Sequence, residues 1–178
     1  EEKIVVDWED GVDEYKNMTE DELWEALGLA EKKQLPFFNA KLDPLGVRHP
    51  WDEDQNGAEW IEKNGEAFTP RWHQLVGILK MLENAFAGRP ILQMDDVGLG
   101  KTLQTIGTIM CLAWFRTVFE EHKRFPGRFA HRKWQGTGEN IPNLPHMIIV
   151  PTGLVVQVMH EIYRYLQPKS VDALPYTG

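Results

Sequence analysis

"ILQMDDVGLGKTLQT", residues 91–105, is the stretch on which the reading of this chain turns. A short apolar run, Ile91 to Met94, gives way to Asp95 and Asp96, and Gly98, Gly100, Lys101 and Thr102 follow in quick succession. A polyphosphate carries dense negative charge, and successive backbone N–H groups at the amino end of a helix solvate it without bulky side chains. Gly98 and Gly100 allow the close approach and positive φ that such a loop requires. Lys101 supplies a point charge for the terminal phosphates, and the Thr102 hydroxyl is suited to ligate Mg²⁺; these two are the candidate catalytic residues. One position breaks the pattern G-x-x-x-x-G-K-[ST]: Asp95 stands where the first glycine belongs.

The flanking sequence supports a phosphate loop. "ILQM" reads as a short buried strand. After the glycines, Leu103, Ile106, Gly107, Met110, Ala113 and Trp114 fall on one face of a helix. Upstream, "TPRWHQLVGILKMLENAFAG" (69–88) predicts another helix, with Thr69 as N-cap, Pro70 in its first position and Gly88 at its end. Its apolar residues Trp72, Leu75, Val76, Leu79, Leu82 and Phe86 recur at three- and four-residue spacing. Strand, glycine loop and helix are the order in which phosphate loops occur.

The remaining composition narrows the class. The 178 residues are 42% hydrophobic and 26% charged, with seven Trp and eight Phe, which describes a folded protein with a sizeable core. The longest apolar stretch, "MIIVPTGLVVQVM" (147–159), is short and interrupted, against the roughly 18 to 20 residues of a membrane helix, so no membrane association is expected. "EEKIVVDWED" at the amino end is too acidic for a signal peptide. Cys111 is the lone cysteine, which favours a reducing intracellular compartment, and the six histidines show no metal-ligand spacing.

Charge divides the chain. Residues 1–66 hold 19 acids and 7 bases, net −12, whereas residues 67–178 hold 8 acids and 12 bases, net +4. A boundary is therefore placed near residue 66, with an acidic N-terminal extension before it. In that extension "NMTEDELWEALGLAEKK" (17–33) predicts one short amphipathic helix, with Thr19 and Glu22 in capping-box spacing and Gly28 as its stop. "LPFFNAKLDPLGVRHPWDEDQNG" (35–57), punctuated by prolines, reads as extended chain held by Phe37, Phe38 and Trp51. Two readings of residues 1–66 stand: an arm that binds a protein partner, or an extension that packs its aromatics on the neighbouring domain. Two also stand for the loop 120–145, where Lys123, Arg124, Arg128, Arg132 and Lys133 interleave with Phe125, Phe129 and Trp134: a nucleic-acid contact or a solvated insertion.

"DDVGLGKT" resembles the D-E-x-G-L-G-K-T loop of the Swi/Snf-like ATPases, the DNA-translocating branch of helicase superfamily two, in which acids lead the loop. "RWHQLVGI" (71–78) is similar to that family's R-x-Y-Q-x-x-G-V, with His73 in place of Tyr. "HMIIVPTGLVVQVMHEIYRYL" (146–166) resembles that family's strand, here "MIIV", and the motif P-x-S-L-L-x-x-W-x-x-E after it, with Gly153 for Ser and Val158 for Trp. "VDALPYTG" (171–178) looks like the strand ending in Y-x-G that follows. The resemblance covers residues 67–178, and it implies that Gln74 reads adenine, whose edge an amide can donate to and accept from. The nucleotide-contacting set that it implies is Arg71, Gln74, Asp96, Val97, Gly98, Leu99, Gly100, Lys101, Thr102 and Leu103, with DNA-backbone contacts at Thr152 and Gly153.

The expected fold is thus a three-layer α/β, RecA-like P-loop lobe with a parallel sheet, truncated, preceded by the acidic helical and extended arm. The implied cofactors are ATP and Mg²⁺, and the implied partners ATP or ADP and double-stranded DNA. The parent activity is an ATP-driven DNA translocase of chromatin-remodelling or repair type, and the implied location is the nucleus. The family's Asp-Glu motif would fall after Gly178, so these residues alone are expected to bind nucleotide and to hydrolyse it poorly. A catalytically silent interaction module and a small-molecule P-loop kinase are the alternatives.

Overall fold

The computed structural model describes residues 11–96 and 98–176. The first helix, α1 (Glu20–Ala26), begins where the sequence places it. The Thr19 hydroxyl accepts from the Glu22 N–H at 3.2 Å, and the Glu22 carboxylate accepts from the Thr19 N–H at 2.7 Å. Two amide groups that no helical carbonyl could reach are thereby satisfied. Leu23, Trp24 and Leu27 turn inward and are buried.

Helices α3 (Trp72–Phe86) and α4 (Lys101–His122) form the centre of the core, and α1 packs on α3. Most of the predicted faces are buried, Leu75, Val76, Leu79, Leu82 and Phe86 on α3, and Leu103, Ile106, Gly107 and Met110 on α4, while Trp72, Ala113 and Trp114 are half-buried. Helix α3 starts after Arg71, later than the Thr69 cap would have it, because the Gln74 side-chain oxygen accepts the Arg71 N–H at 2.9 Å. Residues beyond α4 fold back over this pair. Phe125 and Phe129 are buried, and the Phe86 ring lies 4.8 Å from Phe125, 4.6 Å from Phe129 and 5.2 Å from Trp134.

Residues 35–67 wrap the other side. Phe38 is buried, Trp51 half-buried and Phe37 exposed. The Asn39 amide donates to the carbonyls of Arg164 and Leu166 at 2.9 and 3.0 Å, and the Trp51 indole donates to Leu166 at 2.7 Å. These bonds fasten the segment to the end of α5 (Val155–Tyr165). A helix that the sequence did not announce, α2 (Gly57–Asn64), stands between two short strands, β1 (Lys41–Leu42) and β2 (Glu66–Ala67).

The three-layer lobe with a parallel sheet is not what forms. The strands among the described residues are β1 and β2, and they pair antiparallel, Lys41 opposite Ala67 and Leu42 opposite Glu66. The apolar runs 91–94 and 147–150, read as strands, belong to no strand and pair with none; nor does 171–176, while Thr177 and Gly178 lie outside the described residues. The physical reason is that a parallel strand is stable only between neighbours that satisfy its backbone and cover both faces. Here α3 and α4 bury their apolar faces on each other, on α1 and on residues 125–129, so the core is helix on helix. Leu92 and Ile149 are left 74% and 86% exposed.

Candidate functional site

The glycine loop enters α4 through two residues in left-handed conformation, Gly98 at φ +89° and Gly100 at φ +84°. A side chain is strained at both. Nothing lies within 4 Å of where a Cβ on Gly98 would stand, so that side of the loop is open. At Gly100 a Cβ would come within 2.4 Å of the Gln74 side-chain nitrogen. The start of α3 is therefore seated directly against the loop, and Gln74 also donates to the Leu99 carbonyl at 3.4 Å, with the His73 ring nitrogen 3.2 Å from the same oxygen.

Lys101, the first residue of α4, folds its ammonium group back over the loop. It donates to the backbone carbonyls of Asp95 and Asp96 at 2.8 and 2.9 Å. A positive charge is thus held at the amino end of a helix of 22 residues, where the helix dipole and free N–H groups already favour an anion. Thr102 follows in the first turn, half-buried, its hydroxyl unbonded to any described residue. Leu103 is buried in the core, which leaves its backbone N–H as the group that can face a ligand.

Of the sequence-derived set, the structure brings together Gln74, Gly98, Leu99, Gly100 and Lys101, with the backbone of Asp96. Arg71 is exposed one turn before Gln74. Val97 lies outside the described residues. Thr152 and Gly153 sit on an exposed turn that opens α5 and share no hydrogen bond with the loop. A cavity of about 630 Å³ between α4, α5 and residues 141–148 contains none of the loop residues.

The residues fit a magnesium-bound polyphosphate on two observations, the ammonium held over the loop and the positive-φ glycines; the Gln74 amide beside them is bonded to Arg71 and Leu99. The fit for the metal itself rests on one protein oxygen, that of Thr102. Among the described residues no group of three or more His, Cys, Asp and Glu side chains could hold a metal ion, and no helix is long and apolar enough to cross a membrane.

Two members of the site escaped the sequence reading. Gln93 and Gln104 both donate through their side-chain amides to the Asp95 carboxylate, at 2.7 and 3.1 Å. The available signal was a glutamine at 104 between Leu103 and Ile106, on the apolar face of α4, where a polar residue needs a partner.

Of the basic loop, Arg128 and Arg132, though exposed, pair with the buried Glu83 at 3.0 and 3.8 Å. Lys123, Arg124 and Lys133 are exposed. Set against known protein families, residues 53–178 match the SNF2-related domain, a span that takes in α2 and β2 as well as the loop. No curated protein and no solved structure matches the chain.

Proposed function

Because this chain belongs to the family of SNF2-related domains, the Swi/Snf-type ATPases, we propose that its glycine loop is a Mg-ATP site. The proposal extends to its place in the nucleotide-binding part of an ATP-driven DNA translocase that works in the nucleus on chromatin or damaged DNA. The observation that supports it best is Lys101 poised over the loop at the mouth of α4 while Gln74 closes on Gly100 from α3. In this reading Lys101 and the amide groups from Gly98 to Leu103 hold the phosphates, Thr102 ligates the metal, and Gln74 and Arg71 face the base. Magnesium bound with the nucleotide would supply neutralisation of the charge that develops on the transferred phosphoryl group.

Binding is expected without efficient turnover by these 178 residues. Water activation needs a carboxylate facing the terminal phosphate. Asp95 is engaged by two amides, and Asp96 precedes the loop. The exposed turn at Thr152 and Gly153 suits contact with a DNA backbone. A protein partner of residues 1–66 would meet the outer, acidic side of α1, since its apolar side is buried.

Titration with a fluorescent ATP analogue and Mg²⁺ tests the nucleotide site. Lys101→Ala is expected to weaken affinity by about tenfold or more, the loss of one charge-assisted contact. Equal affinity of the two proteins would reject the site.

A further inference from the structure

The loop's irregular residue, Asp95, is explained by what its carboxylate touches. Its Oδ2 accepts from Gln93 Nε2 at 2.7 Å and from Gln104 Nε2 at 3.1 Å, while Gln93 Nε2 also donates to Gln104 Oε1 at 2.8 Å. The orientation of both amides follows from this triangle. Reversing Gln104 would set an oxygen against the carboxylate and a nitrogen against a nitrogen, and reversing Gln93 would set its oxygen against two acceptors.

Gln104 is 1% exposed, so its amide is removed from water and depends on these partners. It reaches them across α3 at Gly77, where an added Cβ would stand 1.7 Å from Gln104 Oε1. Gly77 is therefore the clearance through which a polar side chain of α4 passes α3 to reach the start of the loop. The backbone carbonyl of the same Asp95 accepts from Lys101.

We propose that Asp95 is a positioning residue. Its carboxylate ties the opening of the glycine loop to α4 through Gln104, with Gln93 bridging and Gly77 making room, and so fixes the carbonyl that holds the Lys101 ammonium. A glycine at position 95 would supply backbone freedom and lose this tie. In this loop a side-chain acceptor is needed at position 95, where a glycine would suffice for sterics alone. The role in nucleotide binding rests on the Mg-ATP reading above; the tie itself does not.

Two measurements on the whole chain separate the claims. In the ¹⁵N-labelled protein without nucleotide, Asp95→Gly is expected to shift the side-chain amide resonances of both Gln93 and Gln104, each of which loses one acceptor. Gly77→Ala should displace those of Gln104 and lower the melting temperature, because the cost of parting a buried amide from its partners exceeds the gain of Ala over Gly in a helix. In titrations with the ATP analogue and Mg²⁺, Asp95→Gly, Gln104→Ala and Gly77→Ala are each expected to weaken affinity by about threefold to tenfold, the size of one ordinary hydrogen bond. Asp95→Asn keeps an acceptor and should retain most of it.

Unmoved amide resonances in Asp95→Gly, or undiminished affinity in Asp95→Gly when Lys101→Ala has lost it, would overturn the positioning role. Undiminished affinity in Lys101→Ala, with the Gln104 resonances displaced in Asp95→Gly, would instead overturn the nucleotide reading and leave the tie standing.

Discussion

Tyr15 carries its phenol into the interior and donates to Glu83 on α3 at 2.5 Å; Arg128 lies 3.0 Å from the other oxygen of the same carboxylate. Burial, and then the Glu83 carboxylate, push the phenol well above the usual tyrosine range, so it remains a donor at any working pH. Tyr15→Phe should cost about 2 kcal/mol in urea unfolding, the size of a buried hydrogen bond to a charged group, and a change within error would show Arg128 alone to suffice.

His49 offers a prediction in pH. Burial lowers the imidazole below its ordinary 6.5, Asp52 at 3.4 Å offsets this in part, and His160 adds to the lowering. The unfolded chain therefore takes up the proton first on acidification. This contribution to stability is full above about pH 6.5 and declines as pH falls from there through the folded value. The fall in melting temperature between pH 7 and 5.5 should be shallower in His49→Gln; parallel curves would refute the assignment.

Among the elements, α1 is the most exposed to a single loss. Its seven residues are too few to hold a helix unaided, so the reciprocal bonds of Thr19 and Glu22 matter. Thr19→Ala is expected to lower stability by about 1 kcal/mol in chemical denaturation, and Thr19→Asp to restore most of it. What could be read from the residues follows the same division between local and distant causes.

The capping box, the faces of α3 and α4 and the glycine loop are each set within a few neighbouring positions, and they stand where the residues put them. Whether "ILQM" and "MIIV" are strands depends on what lies beside them, which no period in a four-residue run can state. The start of α3 was misplaced because Gln74 satisfies Arg71 and so displaces the cap from Thr69. The Asp95–Gln104 contact was hidden for another reason: a lone glutamine in a helix says nothing of a clearance at Gly77 on a different one.

At the scale of the molecule, one apolar core gathers Tyr15, Trp24 and Phe38 from the acidic first third with α3, α4 and Leu166. Composition locates the change in surface charge, and buried side chains need not follow it. Asn39 and Trp51 meet the end of α5 from more than a hundred residues away, a pairing that no short window contains.

The apolar runs without ladder partners have a consequence for handling. Leu92, Met94, Met147 and Ile149 leave bare hydrocarbon beside peptide groups that no strand pairs, an arrangement that invites the same surface on another molecule. The net charge of −8 is the main force keeping copies apart, and at 0.1 M salt it is felt over only about 10 Å. Turbidity should grow with concentration and, at a fixed one, with added sodium chloride. Met147→Glu with Ile149→Glu, which removes the hydrocarbon and adds to the negative charge, should keep such solutions clear; cloudiness equal to the parent's would place the sticky surface elsewhere.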